Sequence, residues 1–183
     1  IHTSQSQLRF DQISGDEGLS HNTIRSIIQD KEGFIWVGTY NGVNKYDGYT
    51  MQHYRFSNDK ANGLSSNIIL SLFEDNNGNI WAGTTNAGLN RIDPKTGKVT
   101  IYFNDPNSQG YANEINQIFQ NRTGIMFVKY KTGIKIIRVD DDGVLLFDKT
   151  ITEDNGNKLS VKTIFPSLNG NHWVFTPEDE IIL

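Results

Sequence analysis

The chain has no cysteine and only two methionines and four prolines among its 183 residues. Without cysteine, neither a disulfide framework nor a thiolate metal site can form. Lysine and arginine number 17 against 21 aspartate and glutamate residues, which gives a formal charge of −4. Because no positive excess is present to attract a phosphate backbone, we expect no nucleic-acid partner. No apolar run reaches the roughly 20 residues that cross a bilayer, so we expect no membrane contact by this segment itself.

Signals for catalysis and for cofactors are also missing. The histidines at positions 2, 21, 53 and 172 show no metal-ligand spacing, and neither a phosphate-binding glycine loop nor a nucleophile elbow is found. Asp30 and Asp75 occupy the same place in a repeated hairpin, which predicts turn capping. The aspartates at 140–142 precede Gly143 and predict a solvated turn. We therefore expect no metal, no cofactor and no enzymatic activity.

The chain repeats itself with a period of 45 or 46 residues. The segment Gly-Phe-Ile-Trp-Val-Gly-Thr at 33–39 returns as Gly-Asn-Ile-Trp-Ala-Gly-Thr at 78–84, and such a period is typical of stacked or radial units. Weaker copies complete a set of four aromatic residues in one register: Trp36, Trp81, Phe127 and Trp173. We interpret these aromatics as core between units, because they offer the largest apolar burial. Gly38 and Gly83 predict close approach of neighbouring backbones.

Each unit has the pattern of four short strands. In the first unit, β-rich runs at 24–30, 34–38, 43–46 and 51–56 are separated by glycine-containing turns. Four antiparallel strands in each period, with an aromatic residue at a fixed place in the second, predict an all-β fold of the β-propeller type. A β-sandwich is the alternative, but a sandwich does not require the same motif in every period.

The predicted blades are set by the period. They cover 19–63, 64–110, 111–158 and an incomplete 159–183, preceded by a closing strand within 8–18. The tail at 180–183 stops at about the third strand of its blade. The two ends could complement each other in a closed ring of four blades. Because four is the lower limit for propellers, we favour a fragment of a larger ring of about seven blades.

Two of the repeats carry a longer pattern. It reads Leu-Ser-x-Asn, then Asp-x-x-Gly-x-Ile-Trp-x-Gly-Thr, then Gly-Val/Leu-Asn-Lys/Arg-Tyr/Ile-Asp, within 19–47 and 64–93. This pattern resembles the two-component regulator propeller repeat, and the resemblance extends from residue 8 to about 183. It implies the periplasmic sensor region of a hybrid two-component histidine kinase from gut Bacteroidetes. In that family, two propellers and an immunoglobulin-like domain precede a membrane helix and the kinase.

The resemblance implies a function for the chain. It would be the N-terminal part of an extracytoplasmic ligand-sensing propeller that responds to a small molecule or to oligosaccharides from polysaccharide breakdown. Its other partner would be the remainder of the same receptor chain. A propeller-type polysaccharide lyase or hydrolase is one alternative. A protein-interaction scaffold that forms a homodimer through its open blade edges is the other.

Candidate ligand-binding residues lie in the loops. Because strands alternate direction, the loop before the first strand and the turn between the second and third emerge on one face. Their amide, hydroxyl and aromatic groups suit neutral sugars. Asn22 and Asn67 occur in both clear copies and predict hydrogen bonds within their own turns. The candidates are chosen mainly because they break the repeat: His21, Arg25, Tyr40, Asn41, Asn86, Tyr130 and Lys131.

Overall fold

The structure, a computed structural model, describes residues 12–58, 63–103, 114–130, 133–151, 153–154, 157–158, 162–166, 172–175 and 181–182. All regular structure in this part of the chain is β-strand. No helix that could span a bilayer occurs among these residues. Of the predicted closing strand, residues 8–11 lie outside the described part, and residues 12–18 include a turn in which Leu19 N–H donates to the Ser14 carbonyl.

Three four-stranded antiparallel sheets follow one another along the chain, each in the simple order first-second-third-fourth. The first blade contains β1 (Ile24–Gln29), β2 (Ile35–Thr39), β3 (Gly42–Tyr46) and β4 (Met51–Tyr54). The second contains β5 (Ile69–Glu74), β6 (Ile80–Thr84), β7 (Leu89–Ile92) and β8 (Val99–Tyr102). The third contains β9 (Gln117–Gln120), β10 (Met126–Tyr130), β11 (Gly133–Val139) and β12 (Leu145–Ile151). This arrangement confirms the predicted all-β propeller fold.

The last part of the chain begins a fourth blade. A two-stranded hairpin, β13 (Glu153–Asp154) with β14 (Asn157–Lys158), is followed by a three-stranded sheet of β15 (Thr163–Pro166), β16 (His172–Phe175) and β17 (Ile181–Ile182). The repeated aromatic residue keeps its register in all four sheets. In each sheet it pairs with the residue at the same position of the first strand. The pairs are Trp36 with Ile28, Trp81 with Phe73, Phe127 with Phe119, and Trp173 with Phe165.

The core lies between neighbouring blades. One apolar cluster joins Trp36 and Val43 of the first blade to Ile69 and Leu72 of the second, and Trp36 is fully buried. A second cluster joins Trp81 to Ile118 and others between the second and third blades. Since β1 contacts β5 and β5 contacts β9, the first strands form the inner side of the array. The sheets therefore pack face against face, as propeller blades do.

Glycine in the second strand permits this close packing. A Cβ atom added to Gly38 would lie 2.8 Å from the Cγ2 atom of Ile69 in the next blade. At Gly83, the added atom would lie 2.6 Å from Ile115. In the third blade the equivalent residue is Lys129, whose side chain is nine-tenths buried. Burial lowers the pKa of the Lys129 ammonium group, and the nearby Glu114 carboxylate partly opposes that shift.

Candidate functional site

Two faces of the array carry loops. We call the face with the loops before each first strand and the turns between second and third strands the loop face. The opposite face carries the turns between first and second strands and between third and fourth strands, and we call it the turn face. Most of the residues predicted to bind ligand belong to the loop face, so their positions are described first.

His21 and Tyr40 form an exposed aromatic pair on the loop face. Their ring centroids lie 5.9 Å apart with 29° between the ring planes. The His21 Nδ1 atom accepts a hydrogen bond from Thr23 N–H at 2.9 Å, which fixes the ring and its tautomer. Tyr40 keeps 43% of its surface exposed. The pair offers a flat apolar surface with polar edges to the solvent.

Amide side chains accompany this pair. The Asn41 Nδ2 group donates to the Ser20 carbonyl at 3.1 Å, so this side chain is held by the loop before β1. Asn86 takes the corresponding turn position of the second blade and is exposed. Arg25 is also exposed, at the point where the β1–β2 register shifts between Ile24 and Ser26. A residue at such a bulge points away from the regular pleat.

The other two predicted residues are placed differently. Tyr130 ends β10 and is 6% exposed, because it packs in the second apolar cluster with Ile115 and Met126. The structure therefore puts Tyr130 in the core, apart from the surface formed by His21 and Tyr40. Lys131 lies outside the described residues.

The repeated polar residues hold the scaffold. Asp30 accepts hydrogen bonds through Oδ1 from Phe34 N–H at 2.9 Å, and through Oδ2 from the Trp36 indole at 2.7 Å. Asp75 holds Trp81 in the same way, also at 2.7 Å. Turn capping by these aspartates was predicted, but their bond to the core tryptophan was not. The sequence signal was the constant six-residue interval between aspartate and tryptophan.

Asn22 and Asn67 join the blades to the chain segments before them. Asn22 Oδ1 accepts from Gly15 N–H at 3.0 Å, and Asn67 Oδ1 accepts from Phe56 N–H at 2.7 Å. Both partners lie several residues upstream, so the prediction of bonds within the local turn was wrong. The acceptors belong to the same position of two repeats, which points to a structural role for both asparagines.

A cleft of about 910 Å³ opens on the turn face. Blade 1 contributes its β1–β2 turn and Lys45, and blade 2 contributes the turns at 76–79 and 93–98. The third blade supplies the remaining side through Asp141 and Asp142. The loop-face prediction did not include this cleft, although its volume falls in the range of small-molecule sites.

The third wall of the cleft is an extended hairpin. Asp141 Oδ1 accepts from the Asn77 side-chain amide at 2.8 Å, and the Asp141 carbonyl accepts from Arg91 Nη2 at 2.8 Å. The buried Tyr102 hydroxyl donates to the Gly143 carbonyl. The turn at 140–142 is solvated as predicted, since Asp141 and Asp142 are exposed, and these contacts also hold it against the second blade. The docking of this turn was not predicted. The sequence signal for it is the number of residues between the aromatic of β10 and the Asp-rich turn, which is larger here than in the first two repeats.

Hydrogen bonds stabilise the ionised form of the cleft carboxylate Asp93. Burial acts to raise the pKa of Asp93, but bonds from the Thr96 hydroxyl and the Lys95 and Thr96 amides outweigh it, and Arg91 adds to them. The pKa of Asp93 therefore lies below its usual value. Within the described ranges, no group of three or more His, Cys, Asp or Glu side chains could hold a metal ion.

Comparison with known protein sequences adds two findings. Residues 18–41 and 63–86 match the family model described as the two component regulator propeller. Histidine kinase P4 of Formosa agariphila is 40% identical over 55 residues, which are 30% of this chain and 4% of that protein. The chain thus spans a small part of that relative.

Solved structures share the fold at low identity. One is the extracellular domain assigned to the hybrid two component system BT3049 of B. thetaiotaomicron, with a TM-score of 0.60 and 20% identity. That match covers 94% of this chain and 31% of the other. Virginiamycin B lyase from Staphylococcus aureus has a TM-score of 0.62 and 17% identity, over 87% of this chain and 54% of the lyase. The chain spans about a third to a half of these structures, and at such identities the likeness concerns the fold.

Proposed function

We propose that this chain, whose first two blades are two component regulator propeller repeats, belongs to the extracytoplasmic sensor region of a two-component histidine kinase. The observation that carries the proposal is that the two family matches fall on consecutive blades in one register. The similarity to a histidine kinase over 55 residues supports the same assignment. The periplasm is the proposed compartment, with the sensor facing away from the cytoplasm.

The proposed role is binding rather than catalysis. The repeated carboxylates Asp30 and Asp75 are occupied by backbone amides and tryptophan indoles, so they are poor candidates for general acid–base groups. Because the chain shares its fold with virginiamycin B lyase, a lyase activity is the alternative to consider. Folds of this kind host unrelated functions, so the shared fold alone does not favour that alternative. Turnover of a polysaccharide by the complete protein would replace the sensor proposal with that alternative.

The proposed ligand is an oligosaccharide that binds to the loop face. The exposed Tyr40 ring beside His21 can stack on the apolar face of a sugar. The amides of Asn41 and Asn86 can pair with its hydroxyl groups, since each amide offers both donors and an acceptor. Occupancy of this face would be passed to the kinase through the rest of the receptor chain.

Calorimetric titration of the chain with neutral oligosaccharides tests this proposal. Tyr40→Ala should weaken binding by about fivefold or more, because it removes the stacking surface. Tyr49→Ala is the matched control, since Tyr49 is 95% exposed in a turn on the opposite face. Equal affinity of the two variants would contradict the loop-face site. A gene in which no membrane helix and kinase accompany this segment would contradict the sensor assignment itself.

A further inference from the structure

We propose that the loop-face site extends outward along blade 1 to Phe56, and that the Phe56 ring is a second stacking surface for a neutral oligosaccharide. The inference rests on the proposed function, because it adds a binding residue and a ligand length to the same site. Three observations support it: the position of Phe56, its exposure, and the free amide groups on the path from Phe56 to Tyr40.

Phe56 lies on the loop face, toward the outer rim of blade 1. It follows β4, the last strand of the blade, by two residues, and β4 ends on the same face as β2 because the strands alternate direction. Tyr40 directly follows β2. Neighbouring strands lie roughly 4.8 Å apart, so two strand spacings separate these residues by about 10 Å. One sugar ring is too small to contact both side chains, whereas a chain of sugars can reach from one to the other.

Asn67 of the second blade holds this part of the loop face together. Its carbonyl accepts from Gly42 N–H at 2.7 Å, and its Oδ1 atom accepts from Phe56 N–H at 2.7 Å. Beside Phe56, the Arg55 carbonyl accepts from Leu64 N–H at 2.9 Å. The backbone that carries the Phe56 ring is therefore fixed before a ligand binds, which lowers the entropy cost of binding.

The apolar side chains around Asn67 are open to solvent. Phe56 is 50% exposed and Ile68, which follows Asn67, is 37% exposed. Neither of them, nor Tyr40, belongs to an apolar core cluster within the described part of the chain. Exposed apolar side chains that lie together and are bordered by polar groups are characteristic of binding surfaces. Packing of the core therefore does not explain why these residues are apolar.

Phe56 and Ile68 also depart from the repeat. In the register of the fourth strands, positions 104 and 153 correspond to Phe56 and carry asparagine and glutamate. Ile68 corresponds to Thr23, because both carbonyls accept from the turn between the second and third strands of their own blade. A scaffold position should carry the same type of residue in every blade. These differences therefore favour a role in binding.

Two amide groups remain free on the path between the rings. Asn41 Nδ2 donates to the Ser20 carbonyl, so the Asn41 Oδ1 atom remains as an acceptor. Asn67 Oδ1 accepts from Phe56 N–H, so the Asn67 Nδ2 group remains as a donor. Neither remaining group has a hydrogen-bond partner among the residues that the structure describes. Two rings with a donor and an acceptor between them suit a neutral sugar chain, whose apolar faces alternate with hydroxyl groups.

The experiment is isothermal titration calorimetry on the 183-residue chain. The probes are cellotetraose, mannotetraose and xylotetraose, each with the corresponding disaccharide. Phe56→Ala is the test variant, Phe56→Trp keeps a flat ring, and Phe56→Leu keeps apolar bulk without a ring. Tyr49→Ala is the matched control, because it removes an exposed aromatic from the opposite face. All Phe56 variants retain the backbone N–H that Asn67 binds, and thermal unfolding of each variant checks that it is folded.

We expect at least one tetrasaccharide to bind, and Phe56→Ala to weaken its binding by about fivefold, as one stacking contact contributes. Phe56→Trp should restore the affinity to within about twofold, whereas Phe56→Leu should not. Phe56→Ala should also reduce the preference for the tetrasaccharide over the disaccharide, because only the longer ligand reaches both rings. A purely structural role of Phe56 would not change this preference. Tyr49→Ala should leave all affinities unchanged.

Three outcomes would overturn the inference: an unchanged affinity in Phe56→Ala, binding to Phe56→Leu as tight as to the original chain, or an equal loss in Tyr49→Ala. If Tyr40→Ala weakens tetrasaccharide binding and Phe56→Ala does not, the inference fails and the proposed loop-face site stands. If Phe56→Ala weakens binding and Tyr40→Ala does not, Phe56 is supported and the His21–Tyr40 surface is contradicted. If no tetrasaccharide binds, both proposals fail.

Discussion

At the scale of single residues, the repeat varies in a coordinated way. In blades 1 and 2, a buried aspartate binds the tryptophan indole, and a cation lies across from the tryptophan on the third strand: Asp30, Trp36 and Lys45, then Asp75, Trp81 and Arg91. In blade 3 the same positions hold Asn121, Phe127 and Ile136. Asn121 still caps its turn through Ile125 N–H. A phenyl ring needs no acceptor, so the carboxylate and its cation become dispensable together.

The coupling between Asp30 and Trp36 can be measured directly. Trp36→Phe leaves a buried carboxylate oxygen without its indole donor, and Asp30→Asn weakens the acceptor, so each should cost about 1–3 kcal/mol. The double variant copies the third blade and should cost less than the sum by about 1 kcal/mol. Urea unfolding followed by circular dichroism provides the free energies. Strictly additive costs would show that the two residues act independently.

Lys129 predicts a pH dependence of stability. Burial lowers the pKa of its ammonium group in the folded chain, so protonation favours the unfolded state. The resulting penalty is present at neutral pH and is relieved as pH rises through the lowered folded pKa towards the unfolded value.

Lys129→Met should therefore be more stable than the original chain at about pH 7, and the difference should shrink towards about pH 10. Urea unfolding of both chains at several pH values measures it. Burial raises the pKa values of Tyr54 and Tyr102, but these tyrosines are common to both chains and cancel in the comparison. A difference that is constant over this range would contradict the assignment to Lys129.

At the scale of elements, one position on the first strand links each blade to the next. Ser26 Oγ accepts from Leu72 N–H at 3.0 Å, and Ser71 Oγ donates to the Ile115 carbonyl at 2.9 Å. Gln117 makes the corresponding link between blades 3 and 4, where its Oε1 accepts from Ile164 N–H at 3.1 Å and its Nε2 donates to the Ile164 carbonyl at 2.7 Å. These bonds join successive blades, whose strands do not belong to one sheet.

Removal of the third link should loosen β15. Gln117→Ala leaves the Ile164 amide without its side-chain acceptor. Hydrogen exchange of the Ile164 amide should therefore become about fivefold to thirtyfold faster, which corresponds to the free energy that one hydrogen bond contributes. The exposed Gln52→Ala on β4 is the control and should leave the Ile164 amide unchanged. The exchange rates are read by mass spectrometry of peptides that contain 162–166. Equal protection in both variants would show that apolar packing alone holds β15.

At the scale of the molecule, an apolar side of the first sheet is exposed, whereas the corresponding sides of the next two sheets are buried. Leu72 and Ile118 occupy the same position of successive first strands and are 7% and 6% exposed, whereas Ile27 at that position of the first blade is 60% exposed. Each buried member is covered by the preceding blade. Ile27 has no such blade in the described part of the chain. An apolar face of this kind is the surface that another blade or a second copy would cover.

The two positions should respond differently to the same substitution. Leu72→Ser should destabilise the chain by about 3 kcal/mol, because it opens the core between blades 1 and 2. Ile27→Ser should change stability by less than about 1 kcal/mol. Urea unfolding at two protein concentrations measures both. A large, concentration-dependent cost at Ile27 would show that copies of the chain cover this face in solution.

The fold could be predicted from the sequence because its determinants are local. Strand alternation, glycine-containing turns and the six-residue interval from Asp30 to Trp36 act within one blade, and they recur often enough to identify the blade. Even the packing glycines Gly38 and Gly83 are visible as fixed neighbours of the tryptophan. Such short-range patterns determined the all-β propeller and the register of its aromatics.

The candidate sites depended on tertiary structure. Tyr130 looked like a loop residue that breaks the repeat, but packing between blades 2 and 3 buries it. The cleft required the turn at Asp141 to meet Asn77 and Arg91, which are 64 and 50 residues away in sequence. The longer interval between Phe127 and Asp140 indicates an extended hairpin, but that meeting also depends on the angle between two blades, which no local pattern encodes. The sequence alone therefore determined the repeating unit, whereas the contacts between units decided which surfaces remain open to a ligand.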